Sequence, residues 1–277
     1  MHPETTCIKK NMLVALIQIE ILDFEIEKNL KNLTEICKNI LEDVDLIIFP
    51  EMFLTGFVTD ISLAQESMEK GLAFIHKLQK EKSCAVEGSL LCEVEDKNKA
   101  NKKIYYNRHY FITQDNEYHY DKQKLFSLSD ESKILTAGTK STIAELKDWK
   151  INLKTCYDLR FCDICKNEVD MSDSYSQTPK FKYDIITFVA SWPKSRSNQW
   201  KILLQARAIE NQCYSIGVNR CGTDSLNNEY SGDSCVVDMK GNFLEPLPYS
   251  TKNILYFDIN KENLHSSRKK FPIYADW

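Results

Sequence analysis

Glycine is scarce, with eight in 277 residues, and none fall in the glycine-rich spacing that cradles phosphate groups. Phosphoryl transfer and dinucleotide binding are thereby disfavoured. The five histidines are too scattered to suggest a Ser/His or Cys/His triad. No apolar run approaches the roughly 20 residues of a membrane span. The opening Met1-His2-Pro3-Glu4 has no basic-then-apolar leader pattern, so the expected location is cytoplasmic. A dominant charge is missing too: 36 basic residues against 40 acidic leave a net charge of −4. That balance is too small and too mixed to capture nucleic acid or an anionic membrane, and the expected partner is a small molecule.

Cysteine is plentiful by comparison, with ten copies. In a chain without a leader pattern they read as reduced thiols and not as a disulfide framework. Cys162-Asp163-Ile164-Cys165 has CxxC spacing. One such pair is half of a structural zinc site, and neither His109 nor His119 stands at a companion spacing, so no metal is expected. A redox or metal-binding protein built on Cys162 and Cys165 is the alternative from a different class.

Apolar periodicity alternates between strand and helix along the chain. Strand patterns cover 12–19, 46–49, 85–94, 104–113, 149–154, 183–190, 214–218 and 234–237, of the buried kind at 46–49 and 183–190 and alternating at 149–154. Helical three-and-four spacing covers 26–41, 62–80 and 199–211. Residues 97–103 form a polar turn, and 166–182 is a polar stretch without periodicity, expected as an insertion near the site. Length, alternation and the absence of repeats predict a single α/β domain spanning 1–277.

Three strand ends carry chemistry. Cys156 follows the 149–154 strand, well placed for a nucleophile, although an arbitrary cysteine is more often a small buried hydrophobe. Glu51 follows Leu46-Ile47-Ile48-Phe49-Pro50, where the proline ends the strand and delivers the carboxylate to the sheet rim. That placement suits a general base, against the commoner reading of a salt-bridge or helix-start glutamate. Lys122, in Tyr120-Asp121-Lys122-Gln123-Lys124-Leu125-Phe126, reads by itself as a solvated strand edge.

Together, Phe49-Pro50-Glu51-Met52-Phe53, Lys122 to Phe126 and Cys156-Tyr157-Asp158-Leu159-Arg160-Phe161 resemble the motifs of the nitrilase, or carbon–nitrogen hydrolase, superfamily, in the family's order. Ala190-Ser191-Trp192-Pro193, Arg196, Trp200, the segment 204–212, Asn219-Arg220, Tyr230 to Ser234 and Arg268 to Pro272 look like its omega-amidase branch. The resemblance implies a four-layer αββα sandwich, two mixed sheets flanked by helices, that commonly forms a homodimer and uses no cofactor.

It also implies roles. Cys156 would attack a substrate carbonyl to form a thioester, Glu51 would serve as base and acid in turn, and Lys122 with the Tyr157 backbone N–H would hold the oxyanion. Glu131 stands where the family has a second glutamate that orients the lysine, and it reads equally as a helix N-terminal carboxylate after Ser127 and Ser129. Phe126, Tyr157 and Trp192 would line the pocket. Arg196 would hold a distal carboxylate, while Arg160 reads as a structural partner for an acidic residue.

The implied reaction releases ammonia from the omega-amide of a short 2-oxo dicarboxylic acid, such as 2-oxoglutaramate or 2-oxosuccinamate. A nitrile, an N-carbamoyl amine or deaminated glutathione are the alternatives within the same chemistry. Three positions depart from the family pattern: Lys124 replaces histidine, Cys162 a proline and Ser191 an asparagine. Lys124 is expected to place a second positive charge near Lys122, either lowering that lysine's pKa or sharpening selection for acidic substrates.

Overall fold

The computed structural model describes residues 11–57, 60–96, 102–170 and 179–277. Most of the 97–103 turn and the middle of the 166–182 stretch lie outside the described residues. A six-stranded sheet runs, edge to edge, Ile254–Asn260, Asn11–Ile17, Leu46–Ile48, Ala85–Glu95, Lys103–Ile112 and Glu117–Asp121. A five-stranded sheet runs Cys235–Val237, Tyr214–Asn219, Ile185–Ala190, Trp149–Thr155 and Ile143–Leu146. The central strands of each are parallel and the edges antiparallel, so both sheets are mixed.

Side-chain alternation accounts for the layering. On Asn11–Ile17, Met12, Val14 and Leu16 pack between the two sheets with Ile151, Leu153 and Val189. Their neighbours Leu13, Ala15 and Ile17 face outward, against Leu33 and Ile75 of helices Ile26–Cys37 and Ala64–Lys82. In the second sheet Ile186 and Phe188 face Trp200 and Leu204 of helix Ser197–Asn211. A Cβ on Gly217 would sit 2.5 Å from the Trp200 ring, so the bare backbone there lets that helix close on its sheet. The result is the four-layer αββα sandwich.

The parallel strands point their carboxyl ends to one edge of the sandwich, where ligands of open α/β sheets gather. Leu46–Ile48 runs into Glu51, Trp149–Thr155 into Cys156, and Ile185–Ala190 into Ser191. Phe49 still bonds across the sheet, its N–H donating to the Glu87 carbonyl at 2.7 Å, while Pro50, which has no N–H, releases the chain. Helix Lys261–Lys270 and strands Glu117–Asp121, Ile143–Leu146 and Ile254–Asn260 fall outside the sequence reading.

The described ends of the 166–182 stretch form a short antiparallel pair, Val169–Asp170 with Lys180–Phe181. At one described end, Pro179, Lys180 and Phe181 line a cavity of about 720 Å³ with Asp184, Lys261 and Arg268. That cavity shares no residue with the one below the catalytic strand ends. Among the described residues, no helix is long and apolar enough to cross a membrane.

Candidate active site

Glu51, Lys122 and Glu131 meet in the interior, each at most 1% exposed. Lys122 Nζ donates to Glu51 Oε1 at 2.9 Å and to Glu131 Oε1 and Oε2 at 2.9 and 3.0 Å. Burial opposes the Lys122 charge, but Glu131 and Glu51 outweigh it and hold the lysine well above its ordinary pKa. Lys124 does not lower it. Its ammonium turns outward, 3.4 Å from Asp163 Oδ2 and 4.8 Å from the centre of the Phe161 ring. Glu131 opens helix Glu131–Ile134, and its carboxylate reaches back to Lys122 and to the Phe126 N–H at 2.6 Å. Burial raises its pKa against the pull of Lys122.

Cys156 is 8% exposed at the head of the turn Cys156–Arg160, in the left-handed region at φ 46°. A non-glycine residue held there is costly and is retained where the surroundings fix it. The surroundings here are Asp158, whose carboxylate accepts the Thr155 N–H at 2.9 Å, the Lys124 N–H at 2.9 Å and the Tyr120 hydroxyl at 2.8 Å. The Glu51 carboxylate and the Ser191 backbone amide both act on the thiol. Burial and the Glu51 charge push the thiol pKa well above its ordinary value, more than Lys122 and Ser191 lower it. The resting sulfur therefore carries its proton at neutral pH.

Two further groups hold Glu51. Asn107 Nδ2 donates to Oε1 at 2.7 Å, and the Ser191 N–H donates to Oε2 at 2.9 Å. Neither was singled out in the sequence as a catalytic or binding residue. Asn107 sits on the inward-facing set of Lys103–Ile112, with Asn107 and His109 among buried neighbours, and a buried amide in an aromatic strand was the available signal. Asp158 had a clearer one, since Thr155 and Asp158 have capping-box spacing and make both bonds of the box.

Lys122 and Cys156 open onto a cavity of about 410 Å³, bordered by Phe126, Tyr157, Trp192 and Arg196, and also by Phe57 and Tyr230. Arg160 corrects its expected role. It makes no ion pair among the described residues; it donates to Gln199 Oε1 at 2.6 Å, stacks 4.7 Å over the Trp192 ring and lines the cavity. The Arg196 guanidinium lies 5.8 Å over Phe126. Leu128 and Leu226, 84% and 79% exposed, stand at the rim. Of the CxxC pair, Cys165 is buried with its sulfur against the Asp158 carbonyl, while Cys162 is exposed.

The carbon–nitrogen hydrolase family model matches residues 13–269. The chain belongs to the carbon–nitrogen hydrolase family. It is 30% identical to the omega-amidase YafV of Escherichia coli over 233 residues, 84% of each chain. It is 26% identical to the 2-oxoglutaramate amidase of Bacillus subtilis over 270 residues, 95% of this chain and 96% of that one. Among solved structures, a CN-hydrolase superfamily protein of Xanthomonas campestris with an arsenic adduct in its active site superposes with a TM-score of 0.86 at 30% identity, covering 96% of this chain and 97% of that one. A carbon–nitrogen hydrolase of the omega-amidase-like branch is an amide-hydrolysing enzyme, and the buried carboxylate–ammonium–thiol cluster is its candidate centre.

Proposed function

We propose that this enzyme releases ammonia from the omega-amide of a short 2-oxo dicarboxylic acid, 2-oxoglutaramate or 2-oxosuccinamate, through a thioester on Cys156. The observation that carries the reading is the buried Lys122–Glu51 pair, with Lys122 and Cys156 lining a cavity that two guanidinium-bearing side chains, Arg160 and Arg196, also line. The names of the omega-amidase and 2-oxoglutaramate amidase relatives support the substrate class.

In this reaction the Cys156 proton passes to Glu51 as sulfur bonds to the amide carbon. The former carbonyl oxygen takes the negative charge, held by the Lys122 ammonium and the Tyr157 N–H. Lys122 frees a proton for that oxygen by giving up one of its two contacts to the Glu131 carboxylate. The C–N bond then breaks while Glu51 returns the proton to the departing nitrogen, and ammonia leaves. Water loses a proton to Glu51 and attacks the thioester. The C–S bond breaks, Cys156 regains its proton, and the carboxylic acid departs.

A second reading, a longer amide such as deaminated glutathione, draws on the exposed Leu128 and Leu226 at the rim, which offer apolar surface to a substrate reaching past the two arginines. Ammonia release measured over a panel of carboxylate-bearing amides, neutral amides, nitriles and ureides, beside release of cysteinylglycine from deaminated glutathione, with Cys156→Ala as the blank, separates them. The first reading requires the highest kcat/KM on a short 2-oxo omega-amide. A preference for neutral amides or nitriles would sink it.

A further inference from the structure

Asn107 belongs to no expected role, yet it touches three members of the cluster. Its side-chain Nδ2 donates to Glu51 Oε1 at 2.7 Å and lies 3.5 Å from Glu131 Oε1, and its backbone carbonyl accepts the Lys122 N–H at 3.0 Å. The residue is fully buried. Because both neighbours of its amide group are carboxylate oxygens, the amide must present its NH2 end to them. The cost falls at the other end: Asn107 Oδ1 is buried with no hydrogen-bond partner among the described residues. An unsatisfied buried acceptor is retained where the matching donor is needed.

A carboxylate has about four lone-pair positions, two on each oxygen. On Glu51, Lys122 and Asn107 occupy both positions of Oε1. The Ser191 N–H occupies one position of Oε2 and leaves the other open. We propose that Asn107 is a positioning residue that closes Oε1 of Glu51 and thereby makes Oε2 the atom that takes the proton from Cys156 and returns it to the leaving nitrogen. This rests on the reading of Glu51 as the general base. Lys122 is then kept as a charge donor and Ser191 N–H as a brace on the working oxygen. Without Asn107, Oε1 has a free lone pair, the carboxylate can rotate about its last bond, and its charged form is less well solvated.

The test uses two readouts on the full-length protein: the pH dependence of Cys156 alkylation by iodoacetamide, quantified on the Cys156 peptide by mass spectrometry, and kcat and KM for 2-oxoglutaramate. Asn107→Ala removes one hydrogen bond to a charged acceptor, so kcat is expected to fall about 10- to 100-fold. KM should stay near the wild-type value, and the acidic limb of the alkylation profile should move to higher pH, because protons compete better for a less stabilised carboxylate. Asn107→Ser, whose hydroxyl can donate, should recover part of both. The isosteric Asn107→Asp keeps the shape without the donor and should move the limb up at least as far, which covers a misfolded alanine variant. Glu51→Gln separates the two layers of the argument. If it loses the limb while Asn107→Ala and Asn107→Asp keep wild-type profiles and kcat, the positioning role is overturned and the base assignment stands. If Glu51→Gln itself alkylates like wild type, the base assignment falls and takes this proposal with it.

Discussion

The carboxylate of Asp158 accepts the backbone N–H of Lys124 at 2.9 Å, across 34 residues of sequence. Its other oxygen holds the Thr155 N–H immediately before the nucleophile. One side chain thus fixes both the left-handed turn bearing Cys156 and the loop bearing Lys122. The acid is fully buried, and burial lifts its pKa against the opposing pull of Lys154 and of its N–H donors.

Asp158→Asn replaces an acceptor of three bonds with a group that has one oxygen and an NH2. Loss of charged hydrogen bonds in a buried site costs roughly 2–4 kcal/mol. For a chain of this size the melting temperature should fall on the order of 10 °C. kcat should fall with it, because Cys156 and Lys122 lose a shared anchor. Thermal denaturation followed by circular dichroism, beside steady-state ammonia release, checks both. A variant with wild-type stability and turnover would remove Asp158 from the account.

Lys154 supplies a pH dependence. Its ammonium is fully buried, 4.3 Å over the Tyr120 ring, with no hydrogen-bond partner among the described residues. Burial lowers its pKa more than Asp158 restores it. Between the lowered folded value and the ordinary lysine value, the unfolded chain holds a proton that the folded chain does not, so this group makes stability rise with pH. Below that window the contribution is flat. Each tenfold change in proton affinity is worth about 1.4 kcal/mol. Urea denaturation of wild type and Lys154→Met from pH 7 to 10 should show the difference moving in favour of wild type as pH rises. A constant difference would contradict this reading.

The two guanidinium groups at the cavity predict a selective loss. Arg196→Ala and Arg160→Ala should each raise KM for a carboxylate-bearing omega-amide by about tenfold or more, the value of a charged hydrogen bond. Turnover of a neutral amide of the same length should change little. Equal losses on both substrates would show that the arginines support the fold and do not read the carboxylate.

How much of this was legible before folding differs by residue. Glu51 and Cys156 were readable because each follows a strand, the first short and apolar with Pro50 marking its exit, the second alternating apolar and polar side chains. The apolar run from Met12 to Ile19 likewise announced a strand. Strand Glu117–Asp121 was not readable, since its five residues mix charged and aromatic side chains at a half-exposed edge. Asn107 and the Ser191 N–H were invisible for another reason. Their partner Glu51 is 56 and 140 residues away, and only the packing of two sheets brings them to it. Arg160 misled because an arginine inside a nucleophile motif is usually neutralised by an acid, whereas here Gln199 and the Trp192 ring receive it.

The thioester is the claim on which the mechanism turns. Turnover of 2-oxoglutaramate stopped by acid within the first catalytic cycles, followed by mass spectrometry of the Cys156 peptide, should find that cysteine carrying the acyl group of the substrate, with ammonia already released in equal amount. Ammonia release without any adduct on Cys156, and turnover that survives in Cys156→Ala, would contradict it.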